Sequence, residues 1–244
     1  MDKETIITVR NLKKAFGDKE VLRGVSLDLH RGENLGILGK SGTGKSVLAK
    51  CIVRLLDPDK GEITVFGQDM ISISEERLNE VRKRVGYLFQ GGALYDSMSV
   101  WENLEFPIRR TQMLKDKNEV QQMIEQALKS VGLLDAIHKM PAELSGGMKK
   151  RIGLARALIL QPDIILYDEP TTGLDSVTSG EISELILKVQ EEYNASSIII
   201  THDMKCAKIT TNKIKILKDG LFYAEGTYDE LCNSSDKEIK AYFL

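Results

Sequence analysis

Apolar residues along this 244-residue chain follow two rhythms. In NLGILG (34–39), DIILY (163–167) and SSIIIT (196–201) nearly every position is apolar or small, the pattern of strands covered by helices on both faces. In TIITV (5–9), VSLDLH (25–30), EITVF (62–66), RVGYLF (84–89), KIKIL (213–217) and FYAEG (222–226) apolar and polar positions alternate, as in antiparallel strands with one wet face. Helical periodicity covers 44–56, about 117–130, 146–160 and 176–193. In the third of these, Met148, Ile152, Ala155 and Ile159 recur at spacings of 4, 3 and 4, one face of a helix. Strands interleaved with helices predict an α/β fold with a mostly parallel sheet core and an antiparallel β subdomain from the N-terminal quarter. A helical insertion over about 92–145, with the helix that follows it, makes a helical subdomain of about 92–160. No repeat or low-complexity linker divides the chain, so it reads as a single domain over 1–244.

Composition narrows the classes without choosing among them. Hydrophobic residues make up 42 % of the chain, ordinary for a globular protein, and the formal net charge of −2 gives no electrostatic reason to bind nucleic acid. Cys51, Cys206 and Cys232 lie too far apart in sequence for a metal or redox motif and suit buried or indifferent thiols in a reducing cytoplasm. The opening MDKETIITVR carries charge where a secretory signal needs an apolar stretch, and no run reaches the roughly 18 apolar residues of a membrane span. Any membrane role must come through a partner.

The first chemistry-bearing motif is GKSGTGKS, Gly39, Lys40, Ser41, Gly42, Thr43, Gly44, Lys45 and Ser46, placed between an apolar strand and a helix. That is the P-loop pattern in the context it requires. Its glycines turn backbone N–H groups toward a phosphate, the helix N-terminus adds partial positive charge, Lys45 reaches the β/γ oxygens, and the Ser46 hydroxyl ligates Mg²⁺. The second is IILYDEP (164–170), an apolar strand ending in two carboxylates. Asp168 is delivered to the P-loop side of the sheet to hold Mg²⁺ through water. Glu169, one residue further, is placed to orient or deprotonate an attacking water. These two motifs leave P-loop kinases and GTPases open.

ELSGGMKKRIGLARAL (143–158) closes most of that choice. Ser145, Gly146 and Gly147 open a helix and form a second anion-binding N-terminus. One nucleotide already has its phosphates wrapped by Gly39–Ser46, so the second turn is redundant unless it faces the nucleotide of another copy. A head-to-tail dimer follows.

Over essentially its whole length the chain resembles the ATP-binding cassette family. The resemblance rests on Phe16, the P-loop, Gln90 after the strand 84–89, LSGGM (144–148), YDEP, GLD (173–175) and the pair Thr201–His202, all in family order. It implies the cassette fold, ATP and Mg²⁺ as ligands, ATP hydrolysis, and two copies sandwiching two nucleotides, so that Ser145–Gly147 of one copy bind the γ-phosphate held by the other. It also implies that Phe16 stacks on adenine, that Gln90 touches Mg²⁺ and senses a membrane partner, that His202 contacts the γ-phosphate, and that Asp175 lies at the dimer interface. Met148 stands where the family signature usually closes with glutamine, leaving the phosphate-binding Ser and Gly residues intact. The following Lys149, Lys150 and Arg151 read as a solvated helix face.

LSGGMKKR, MPAEL (140–144) and FQGGALYDSMSVWENLEFPIR (89–109) are further similar to the ATPases of MCE-protein lipid transport systems of the Mla type. That resemblance implies phospholipid transport with an integral-membrane permease and an MCE-type lipid-binding protein, the cassette lying peripherally on the cytoplasmic face of the inner membrane. Leu94, Tyr95, Met98, Val100, Trp101 and Phe106 are the expected permease-docking residues. Another transporter, an amino-acid importer or lipoprotein exporter, is the alternative, and a soluble non-transport cassette stands behind it.

Overall fold

The computed structural model describes residues 4–111 and 116–243; the expected domain and its helical insertion also include 1–3, 112–115 and 244, which lie outside the described residues. Two sheets form the framework. β1 (Thr5–Phe16), β2 (Lys19–His30), β4 (Lys60–Val65) and β5 (Gln68–Asp69) make an antiparallel sheet in the order β2-β1-β4-β5. The other sheet contains β3 (Asn34–Leu38), β6 (Val85–Leu88), β7 (Ile164–Asp168), β8 (Ser196–Thr201), β9 (Lys213–Lys218) and β10 (Leu221–Gly226). Its order is β10-β9-β3-β8-β7-β6, parallel except for the β9–β10 hairpin.

The unbroken apolar runs are the central strands: every residue of β7 and β8 is buried. Because side chains alternate across a strand, β7 serves two cores at once. Ile164 and Leu166 pack with Ile7, Leu29, Ile37, Leu48 and Ile200 in the core shared with the antiparallel sheet. Ile165 and Tyr167 join the opposite core.

That second core is helical. α3 (Val100–Arg110), α4 (Lys117–Ser130), α5 (Gly146–Leu158) and α6 (Ser176–Tyr193) contribute Leu104, Ile124, Ile152 and Ile186 to it. On the other side of the sheet, α1 (Lys45–Ile52) follows β3 directly and buries Leu48 and Ile52, while α2 (Glu75–Lys83) buries Leu78 and Val81. Three shorter helices, α7 (Met204–Thr210), α8 (Tyr228–Cys232) and α9 (Lys237–Lys240), pack near the β9 edge around Ile214 and Ile216.

Two strands correct the sequence reading. β6 and β9 alternate in polarity yet pair in parallel, with β7 and β3 respectively. β6 lies at the sheet edge and β9 next to the edge strand, and each keeps one face partly open, in the patterns iBiB and iBiBBi of buried and intermediate positions. Alternation reports a half-covered face, which edge position supplies as readily as antiparallel pairing.

Candidate active site

The P-loop, Gln90, Asp168, Glu169 and His202 converge where the parallel strands end. Gly39 follows β3, Asp168 closes β7, His202 follows β8, and Gln90 lies just past β6. Open α/β sheets hold ligands at this carboxyl edge.

The loop between β3 and α1 is built on glycines that admit no side chain. Gly44 has φ +101°, and a Cβ there would come within 2.8 Å of Val21 Cγ1. A Cβ on Gly39 would meet the Leu217 carbonyl oxygen at 2.6 Å. α1 starts at Gly44 with no side-chain cap and no acidic residue in its first turn, so its leading N–H groups are left to serve an anion. Lys45 is almost fully buried. Its Nζ donates to the carbonyls of Gly39 at 2.8 Å and Lys40 at 3.1 Å and pairs with Glu169 Oε1 at 3.2 Å.

The acidic half of the site is equally constrained. Asp168 Oδ1 accepts from Ser46 Oγ at 2.6 Å, and its Oδ2 accepts from the Tyr87 hydroxyl at 3.2 Å. Burial, with the Asp168 charge beside it, pushes the Tyr87 phenol well above its ordinary range, so Tyr87 remains a donor. Glu169 has φ +52°, a left-handed conformation rarely adopted outside glycine and asparagine. Its N–H donates to Ile200 O at 2.8 Å. Its Oε2 lies 2.6 Å from His202 Nδ1 and accepts from Thr172 Oγ1 at 3.0 Å. Such strain persists where surrounding bonds over-determine it, which is common in reactive centres.

A cleft of about 260 Å³ opens here, lined by Ser41, Gly42, Gly44, Lys45, Ser46, Gln90 and Glu169 among others. Phe16 stands at the end of the β1–β2 hairpin, 50 % exposed, with Lys14 Nζ 5.6 Å from its ring centre. Phe16 is therefore not a core aromatic. Ser145 caps α5 by accepting from Met148 N at 3.3 Å, and Ser145 and Gly146 are exposed. Among the described residues, the lining of the P-loop cleft includes no part of Ser145–Gly147. Asp175 is exposed and caps α6, accepting from Val177 N and Thr178 N at 3.0 Å each; its bond from the Thr178 hydroxyl holds its carboxyl below the usual range.

Two further site residues escaped the sequence reading. Tyr87 looked like one alternating strand residue among several, and nothing in its spacing announced a bond to Asp168. Lys150 was grouped with a solvated face, and the structure overturns that: it is 6 % exposed, and its Nζ donates to the carbonyls of Gln90 and Glu169. The signal was available, since Lys150 precedes the buried Leu154 and Leu158 by four and eight residues. The docking segment is also revised. Val100 is fully buried and belongs to the helical core, whereas Tyr95 is 45 % exposed, its ring centre 5.0 Å from that of Phe106.

A glycine loop joining a buried parallel strand to an uncapped helix, facing a strand-terminal Asp and Glu, defines a P-loop nucleotide-binding protein. Within that class the chain belongs to the ABC transporter family, whose model matches residues 22–172, and it is an ATPase of that family. It is 40 % identical over 236 residues to the intermembrane phospholipid transport system ATP-binding protein MlaF of Haemophilus influenzae, covering 97 % of this chain and 89 % of the relative. It is 34 % identical over 235 residues to the methionine import ATP-binding protein MetN of Clostridium tetani, covering 96 % of this chain and 73 % of the relative. Among solved structures, the dimeric post-hydrolysis state of the ATP-binding cassette MJ0796 bound to ADP and Pi superposes with a TM-score of 0.83 at 31 % identity, covering 91 % of this chain and 99 % of that one.

Proposed function

We propose that this chain is the motor of a phospholipid transporter and that it hydrolyses ATP as a head-to-tail pair. The observation that carries the pairing is the separation of two phosphate-adapted helix N-termini: α1 opens on the cleft, while Ser145–Gly147 at the start of α5 present exposed residues away from its lining. A dimeric relative of the same fold supports that arrangement. The phospholipid assignment is supported by the MlaF relative, matched over nearly both full chains. In this reading residues 1–244 form one cassette domain, and 92–160 its signature-bearing helical subdomain.

Lys45 and the leading N–H groups of α1 bind the β- and γ-phosphates, and Phe16 offers its open face to adenine. The hydroxyl and carboxylate oxygens of Ser46 and Asp168, 2.6 Å apart, with the Gln90 amide, form a hard oxygen donor set that fits Mg²⁺. When bound, the ion would neutralise charge on the phosphate oxygens. Glu169, buried and fixed at both carboxylate oxygens, orients water and accepts its proton, and His202 beside it reads the γ-phosphate. Ser145–Gly147 of the second copy meet that phosphate only when the pair closes, and Asp175 lies at the closing face. Reversing a 1:99 open preference to 99:1 takes about 5.5 kcal/mol of differential affinity, within reach of charge-assisted contacts to two nucleotides.

Among the described residues no helix is long and apolar enough to cross a membrane. In this reading, which the MlaF relative supports, the chain acts through an integral-membrane permease on the cytoplasmic face of the inner membrane, with an MCE-type protein handling lipid beyond it. Tyr95, Met98, Trp101 and Phe106 are the docking candidates. The methionine-import relative supports a second reading, an amino-acid importer. Extraction of the tagged chain with its permease in detergent, followed by reconstitution in phospholipid vesicles, separates the two. ATP-dependent movement of a fluorescent phospholipid out of the vesicles is expected, whereas ATP-dependent methionine uptake without lipid movement would replace the lipid reading.

A further inference from the structure

We infer that Lys150 is a positioning residue for ATP hydrolysis, a buried clamp that sets the backbone of Glu169 and ties it to the loop after β6 and to the signature end of α5. The inference rests on Glu169 being the group that orients water, and it adds the means by which that group is held in register with two distant surfaces.

The ammonium of Lys150 donates to two main-chain carbonyls, those of Gln90 and Glu169, the latter at 3.1 Å. Burying an amine costs several kcal/mol unless its hydrogen bonds are restored inside, and no partner carboxylate within ion-pair distance is found for Lys150 among the described residues. Its place in the interior is explained by the two loops it joins. Both are irregular backbone. The Glu169 carbonyl belongs to a residue in the left-handed region, anchored on its other side by the N–H bond to Ile200. The Gln90 carbonyl opens the segment expected to meet the permease.

The rest of the interface shows why the clamp transmits displacement instead of absorbing it. Gly92 packs against the backbone of α5 so closely that a Cβ there would lie 3.0 Å from Lys149 O, and a Cβ on Gly153 would lie 3.0 Å from Gly92 O. Arg156 Nη2 donates to Gly92 O at 3.2 Å one helical turn further on. The 90–92 loop and α5 therefore move together. Lys150 sits five residues beyond Ser145 on the same helix, so a shift at the Ser145–Gly147 turn reaches the carbonyl of Glu169 through one side chain. Two inputs, from the permease-side loop and from the partner's nucleotide, thus converge on the residue that orients water.

The expected signature is a turnover defect without a binding defect. Lys150→Met, one atom shorter and without donors, and Lys150→Gln, similarly short and neutral, are each expected to lower kcat for ATP at least tenfold while KM changes less than twofold. Lys150→Arg, which keeps charge and donors, is expected to recover at least a third of native kcat. Thermal unfolding of each variant establishes that it is folded. Native kcat in a folded neutral variant overturns the inference, as does a matched change in KM, an Arg variant no better than the neutral ones, or failure of both neutral variants to fold, which marks Lys150 as structural only. Glu169→Gln is measured alongside: if it turned over at the native rate, the role of Glu169 itself would fall, a result distinct from any outcome at Lys150.

Discussion

Glu169 shows how little freedom a reactive side chain retains in this fold. Its carboxylate touches Lys45, His202 and Thr172, and its backbone is pinned to Ile200 and Lys150. Glu169→Gln keeps shape and most hydrogen bonds but removes the proton acceptor, so kcat is expected to drop about 10²- to 10⁴-fold with ATP binding preserved, measured by steady-state hydrolysis and nucleotide titration. Gly44 makes a different demand. Alanine there meets both a φ of +101° and Val21 at 2.8 Å, and Gly44→Ala is expected to lose about 1–3 kcal/mol of stability in chemical unfolding and to bind ATP poorly. These two residues were legible from sequence because each belongs to a motif whose spacing encodes its job. The bonds made by Lys150 and Tyr87 were not, because their partners, Gln90, Glu169 and Asp168, lie 19 to 81 residues away and are chosen by packing.

At the scale of elements, the strands with unbroken apolar runs were legible because burial on both faces leaves only one composition possible. β6 and β9 misled because their open faces, set by position in the sheet, mimic antiparallel alternation. α2 and α3 were missed for a different reason. α3 carries Pro107 in its interior, and each has a short apolar stripe, yet Ser74 and Ser99 announced them as N-caps, Ser99 with Glu102 in a reciprocal capping box. The ends of elements are also tied together electrostatically. Asp163, at the turn entering β7, pairs with Arg84 at 2.8 Å and Arg31 at 3.4 Å, and the Arg84 hydrogen bond chiefly holds its carboxyl below the usual range. A depressed carboxylate adds stability above its unfolded-state pKa and loses it as pH falls through the folded one. Asp163→Asn is therefore expected to lose up to about 1 kcal/mol near neutrality, the value of a partly exposed pair, and to match the native chain in strong acid, as read by urea unfolding across pH.

For the whole molecule, the sheet gathers P-loop, carboxylates and His202 at one edge, while α5 carries its own phosphate-adapted turn elsewhere on the surface. In the proposed mechanism the two half-sites become one only between copies, and every step assigned to closure depends on that. Sequence reasoning reached this point through redundancy, since a second glycine turn before a helix had no phosphate of its own to hold. The most direct test is the solution mass of Glu169→Gln by light scattering. The account predicts the 27.3 kDa chain without nucleotide, a pair of twice that mass with ATP, and no pair when Ser145→Arg is added to the same variant. A Glu169→Gln chain that binds ATP and stays at the mass of one copy, or one that pairs equally well with Ser145→Arg, would contradict it.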